Sequence, residues 1–133
     1  VVNLGPGSDF QRDPMRQDLR TAVGDRLNDS TLDKVVRNAA SSWTQSGHLE
    51  GRTIKKRRRV RATPASVSFA LYLSYLVGFR GSELFSSGWG TVLDCSPGMA
   101  RELALEAKRV GLLDMRTVGD IVEISFNRLE QFR

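Results

Sequence analysis

The chain has one cysteine and one histidine in 133 residues. A single thiol cannot close an internal disulfide, and Cys95 with His48 gives too few soft ligands for a zinc site. Sparse cysteine suits a reducing compartment, so the expected location is cytoplasmic and nucleoid-associated, or nuclear in a eukaryote. Long apolar runs are also missing. The most apolar stretch, 67–77, reaches only about half the length a bilayer demands, so no membrane partner is expected. No basic segment followed by an apolar one opens the sequence, which gives no reason to expect a secretory signal. The phosphate-cradling pattern GxxxxGK[ST] is absent; GFRG and SSGWG carry glycines without the strand before and helix after that such a cradle requires. Paired histidines and clustered carboxylates for a metal are lacking. A Cys95–His48 dyad has no spacing to recommend it, and a thiol just before Ser96-Pro97 sits where helices start. The expectation is a non-enzymatic protein without cofactor, metal or small-molecule substrate.

What the chain does have is a dense block of positive charge. IKKRRRVR, residues 54–61, holds six basic side chains in eight positions, and Arg52 extends the block to seven of the 20 Lys+Arg within ten positions. The rest of the chain then carries 13 basic against 15 acidic residues, so the net +5 is local in origin. A local excess favours an anionic partner. With 40 % apolar and 26 % charged residues the chain reads as folded, and its length suits one domain or two small units. The opening VVNLGPGSDF suggests a linker over 1–12, and the first residue is Val, which suggests a fragment of a longer protein.

Asp13-Pro14 can cap and start a helix in which Met15, Leu19, Val23 and Leu27 recur at fourfold spacing. Ser30 and Asp33 approximate a capping box for a second helix, 30–46, whose apolar stripe is Leu32, Val35, Val36, Ala39, Ala40 and Trp43, with Gly47 as its stop. The basic run reads as a strand, with Ile54, Lys56, Arg58 and Val60 on one side and Lys55, Arg57, Arg59 and Arg61 projecting from the other. Pro64 ends that strand and opens a third helix, closed by Gly78 or Gly81. A short helix over 82–93 follows, then a helix over 97–110 with Ser96 as cap, Pro97 in its first turn and Gly111 at its end. Two short strands turn near Val118-Gly119-Asp120.

Two segments 64 positions apart echo each other. GHLEGRT (47–53) and GLLDMRT (111–117) share Gly, Leu, Arg and Thr, with Glu50 opposite Asp114. Arg37 matches Arg101, Ala40 matches Ala104, and Val60 falls opposite Ile124. Each copy reads capped helix, glycine stop, Leu-acid, ribbon, which suggests a duplication. The order of helices followed by a β-ribbon resembles the winged-helix superfamily, a helix-turn-helix variant, across 13–126. The resemblance implies a mainly α fold with short β-ribbons: two winged-helix-like units in tandem, 13–63 and 64–126, then a tail over 127–133. The first unit shows one helix fewer. The helix, Gly-Leu-Leu and ribbon are also similar to the ending of BrxA, a component of bacterial phage-defence (BREX) systems, although the Arg-rich ribbon is not carried over from that likeness.

In the winged-helix reading, the 30–46 helix enters the major groove of duplex DNA. Lys34, Arg37, Asn38, Ser41 and Gln45 lie opposite its apolar stripe, and Arg and Asn or Gln suit guanine and adenine edges. The ribbon 52–61 would place Arg52, Lys55, Lys56, Arg57, Arg58, Arg59 and Arg61 on phosphates, with no local acidic block to neutralise them. The second unit carries Asp120 and Glu123 on its ribbon, so it should bind DNA weakly; Leu105, Phe79, Phe85 and Trp89 suit a protein partner instead. Tyr72, Tyr75 and Trp43 read as core. The expected role is transcription regulation or phage defence. Two other readings are a docking module of a larger complex and an RNA-binding protein. The run also matches a nuclear-import patch.

Overall fold

In a computed structural model, which describes residues 1–131, the first unit (Val1–Val60) contains β1 (Asp9–Phe10), α1 (Arg12–Val23), a 3-10 turn at Gly24–Arg26, α2 (Asp29–Gln45), β2 (Leu49–Glu50) and β3 (Lys55–Arg57). Helix α1 starts one residue ahead of Asp13. Its cap residue, Gln11, makes no side-chain bond, so Asp13 serves as a first-turn acid facing the positive helix end. Helix α2 also starts early. Asn28, rather than Ser30, is the cap: its Oδ1 accepts from the Thr31 backbone N–H at 2.8 Å, and no Ser30–Asp33 box forms. Arg20 ties α1 to the connecting turn by donating to the carbonyls of Gly24 (2.8 Å) and Leu27 (2.7 Å), and to α2 by donating to Asp29 (2.6 Å).

The α2 stripe matches its spacing. Leu32, Val36 and Ala40 are buried, with Val35, Ala39 and Trp43 half-buried beside them. Each fully buried Leu or Val side chain contributes about 2 kcal/mol by leaving water. The sheet is where expectation and structure part. Its order is β1-β3-β2, both pairings antiparallel, so the basic strand is the central one. The stretch read as a linker supplies β1, placing Asp9 opposite Lys56 and Phe10 opposite Lys55. Strand β3 covers only three residues, and Pro64 therefore does not end it.

The second unit (Arg61–Arg133) contains α3 (Pro64–Leu76), a 3-10 segment at Gly81–Ser86, α4 (Gly88–Val92), α5 (Pro97–Arg109), β4 (Asp114–Val118), β5 (Ile121–Ser125) and a last helical turn, α6 (Asn127–Glu130). Thr63 and Ser66 form a reciprocal capping box at the start of α3. Ser96 caps α5 by accepting from the Met99 N–H at 3.2 Å, as its sequence suggests. Strands β4 and β5 form a hairpin in register from Asp114↔Ser125 to Val118↔Ile121, with Gly119 at φ 59 in the turn. Val67, Leu71, Leu84, Phe85, Ala104, Met115, Val122 and Phe126 belong to one core cluster, and Leu129 of α6 packs against it. The expected tail thus joins the core at Leu129; Phe132 and Arg133 lie outside the described residues.

The 64-residue echo extends to the hydrogen bonds. At the end of α2, His48 N–H donates to Trp43 O (3.0 Å) and Gly47 N–H to Thr44 O (3.1 Å). At the end of α5, Leu112 N–H donates to Ala107 O (2.9 Å) and Gly111 N–H to Lys108 O (3.1 Å). Both are Schellman closures, and both need the left-handed glycine, at φ 89 in Gly47 and φ 80 in Gly111. The next leucine, Leu49 or Leu113, is buried in each case. The chain is therefore mixed: mostly helical, with small antiparallel sheets, in two units divided at 60/61 where the sequence suggested 63/64.

Candidate nucleic-acid interface

Residues three, four, seven and eleven apart share one side of a helix. Lys34, Arg37, Asn38, Ser41 and Gln45 follow that spacing on α2, opposite the buried stripe, and all five are exposed. Among the described residues none of the five has a side-chain hydrogen bond or an ion pair. Such side chains are held by nothing inside the protein and remain available to a ligand. The two acids of α2 are committed elsewhere. Asp33 accepts from Arg16 Nε at 2.8 Å, and Asp29 accepts from Arg20 at 2.6 Å and Arg16 at 3.3 Å. The hydrogen bond to Asp33 raises the Arg16 pKa, so this guanidinium keeps its charge. A cleft of about 360 Å³ beside this pair is lined by Arg12, Arg16, Ser30 and Arg37 with Asp13 and Asp33. Three cations against two carboxylates leave it only weakly attractive to an anion.

The basic run is less open than its composition suggests. Lys55 is half-buried, and its Nζ donates to Thr44 Oγ1 (2.9 Å) and Gly51 O (3.1 Å), tying β3 to the last turn of α2. Lys56 pairs with Asp9 at 3.0 Å, and Arg58 Nε with Glu50 at 2.5 Å. Arg57 is 2 % exposed, donates to the Arg58 carbonyl, and its backbone is bonded to Ser8 O and Gly7 N–H, both at 2.8 Å. Lys55 and Arg57 thus leave the expected row of projecting cations, and Lys56 and Arg58, expected on the other side of the strand, are paired with acids. A central strand has neighbours on both edges, and its neighbours here bring Asp9 and Glu50, so acids do balance part of the run. The strand also stops at Arg57, so alternation does not govern Arg59 or Arg61. Arg52 and Arg59 are exposed without a hydrogen bond or ion pair among the described residues, and Arg61, likewise exposed, opens the second unit.

Of the twelve residues expected to contact DNA, seven remain open in the first unit: the five on α2, with Arg52 and Arg59. Asp9 was invisible as a partner because 47 positions separate it from Lys56. The imbalance of charge is nonetheless confined. Val1–Val60 holds 12 Lys+Arg against 7 Asp+Glu, a net of +5; Arg61–Arg133 holds 8 against 8, a net of zero.

The two rare residues serve packing. His48 is buried, its Nδ1 2.6 Å from Ser46 Oγ and its ring edge-on to Trp43 at 4.7 Å. Cys95 is half-buried, and that burial pushes its thiol pKa up. Phe85, expected on a partner surface, is 4 % exposed and belongs to the core, with the Arg101 guanidinium 5.0 Å from its ring centre. Among the described residues no cluster of three or more His, Cys, Asp or Glu could hold a metal, and no helix is long and apolar enough to cross a membrane. Compared with known proteins, the chain matches no family model, no curated protein and no solved structure, so its function must be read from the residues themselves.

Proposed function

We propose that the first unit binds duplex DNA, with the outer stripe of α2 in the major groove and Arg52 and Arg59 on phosphates. The observation that carries this reading is the division of partners on and around α2. Its two carboxylates are each engaged by arginines of α1, while Lys34, Arg37, Asn38, Ser41 and Gln45 stand exposed with no side-chain partner. An unpartnered Arg-Asn-Gln stripe is the chemistry that base edges accept.

The reading extends to architecture: each unit is a winged-helix variant. In the second unit a helix, a 3-10 segment against β5, a short helix, a capped helix and a hairpin follow in order. The first unit repeats the last five as β1, α1, α2, β2 and β3, with β1 lying against β3 as the 3-10 segment lies against β5. A counterpart of α3 is absent among its described residues. The first unit is then the reading unit, because it alone carries net positive charge.

A salt titration tests the proposal. Four cations of the proposed interface (Lys34, Arg37, Arg52, Arg59) have no side-chain hydrogen bond or ion pair among the described residues, so log K should fall against log salt with a slope of about −4. Arg52→Ala with Arg59→Ala should flatten it by about 2 units. A double variant with unchanged slope removes those arginines from the interface, and equal or tighter binding to single strands or RNA rejects the duplex reading.

A further inference from the structure

From 62 to 79 the chain has no charged residue, the longest such stretch in the sequence. Helix α3 fills most of it and is apolar on two sides. One side, with Val67, Leu71 and Tyr72, enters the core of the second unit. Phe69, Leu73, Leu76 and Val77 follow the i, i+4, i+7, i+8 spacing of a second stripe. Phe69 is 54 % exposed, Leu76 45 % and Val77 66 %, and Phe79 beyond the helix end is 38 % exposed. A helix that is apolar all round is normally covered all round.

We infer that this outer face of α3 is the contact between two copies of the chain, related by a two-fold axis. Charge selects the occupant. An isologous contact sets a surface against itself, so any net charge on it would meet its own sign. The α3 face has none, and offers no ammonium or carboxylate to a charged partner. A membrane surface is disfavoured on the same ground, since interfacial helices flank their apolar face with Lys and Arg. The size also fits. The four side chains leave roughly 300–400 Å² of apolar surface in water, at the scale of the largest patch on an ordinary monomer. A stable interface buries about 800 Å² per partner with a polar rim around an apolar centre, so this patch supplies the centre. Arg80, fixed by bonds to the carbonyls of Tyr75 and Phe79 (both 2.7 Å) and lying over the Tyr75 ring, supplies part of the rim.

The test needs no DNA and is independent of the binding proposal. Light scattering of the full chain across a concentration series should give twice the chain mass at tens of micromolar. Phe69→Glu with Leu76→Glu, and separately Phe69→Lys with Leu76→Lys, should each give one chain mass with the helical circular dichroism retained. Mixing the two variants should restore the double mass by opposite charge. If charged variants unfold, Phe69→Ala with Val77→Ala, which leaves the inner face untouched, should raise the dimer dissociation constant at least tenfold. A wild-type chain that stays at one mass to several hundred micromolar overturns the inference, as does a dimer that survives in all three variants.

Discussion

Neighbouring arginines in one run have different work. Arg57 is enclosed at the centre of a sheet, so Arg57→Ala should destabilise the fold by about 2–3 kcal/mol, the range for buried side chains with polar contacts. Arg59→Ala, two residues on, should change stability by less than about 0.5 kcal/mol. Urea unfolding of both variants separates the two roles, and equal losses would contradict the placement. On α2, Arg37→Ala or Asn38→Ala should cost about 1–3 kcal/mol of binding to a preferred site and much less to a random duplex. A uniform loss would assign them to phosphates. Because burial raises the Cys95 pKa, its thiolate is scarcer in the folded chain than in the unfolded one at the same pH. Stability should therefore hold through neutral pH and decline as alkali deprotonates the unfolded thiol, and Cys95→Ala should remove that part of the decline. Iodoacetamide should modify Cys95 more slowly before urea is added than after.

Elements whose signals lie within a few residues were legible in advance. Pro64, Ser96-Pro97, Gly47 and Gly111 mark helix ends by chemistry confined to one turn, and the β4–β5 hairpin closes on adjacent residues. Removing such a signal should cost about 1 kcal/mol: Asn28→Ala at the start of α2 and Ser96→Ala at the start of α5, read by thermal unfolding. Gly47→Ala and Gly111→Ala should each cost a similar amount, because both glycines occupy the left-handed region. A silent Gly47→Ala would mean the Schellman closure is not what ends α2. The misread elements depend on distant partners. Nothing near Lys55 announces that Asp9-Phe10 will lie alongside it, nor that strand alternation in the basic run stops at Arg57. The α2 stripe was readable because its apolar side fixes which residues face away. Saturation of the cations was not, since Asp9 and Glu50 reach them only through the sheet.

For the whole molecule, charge and apolar exposure separate by unit. The +5 lies in Val1–Val60, whereas among the described residues ten of the eleven exposed large hydrophobics lie in the second unit. Binding to polyanions should thus depend on the first unit alone. Asp120→Asn with Glu123→Gln should leave duplex affinity within about twofold, because no phosphate contact is assigned to that hairpin. A tenfold gain in a gel-shift series would place the second hairpin against DNA. The position of β3 between β1 and β2 has a further result for synthesis. A chain leaving the ribosome exposes the edge of residues 9 and 10 long before residue 56 exists to cover it. The sheet can form only once residues 55–57 have emerged, because both of its other strands pair with that one alone, so a chain cut short before them lacks this sheet altogether.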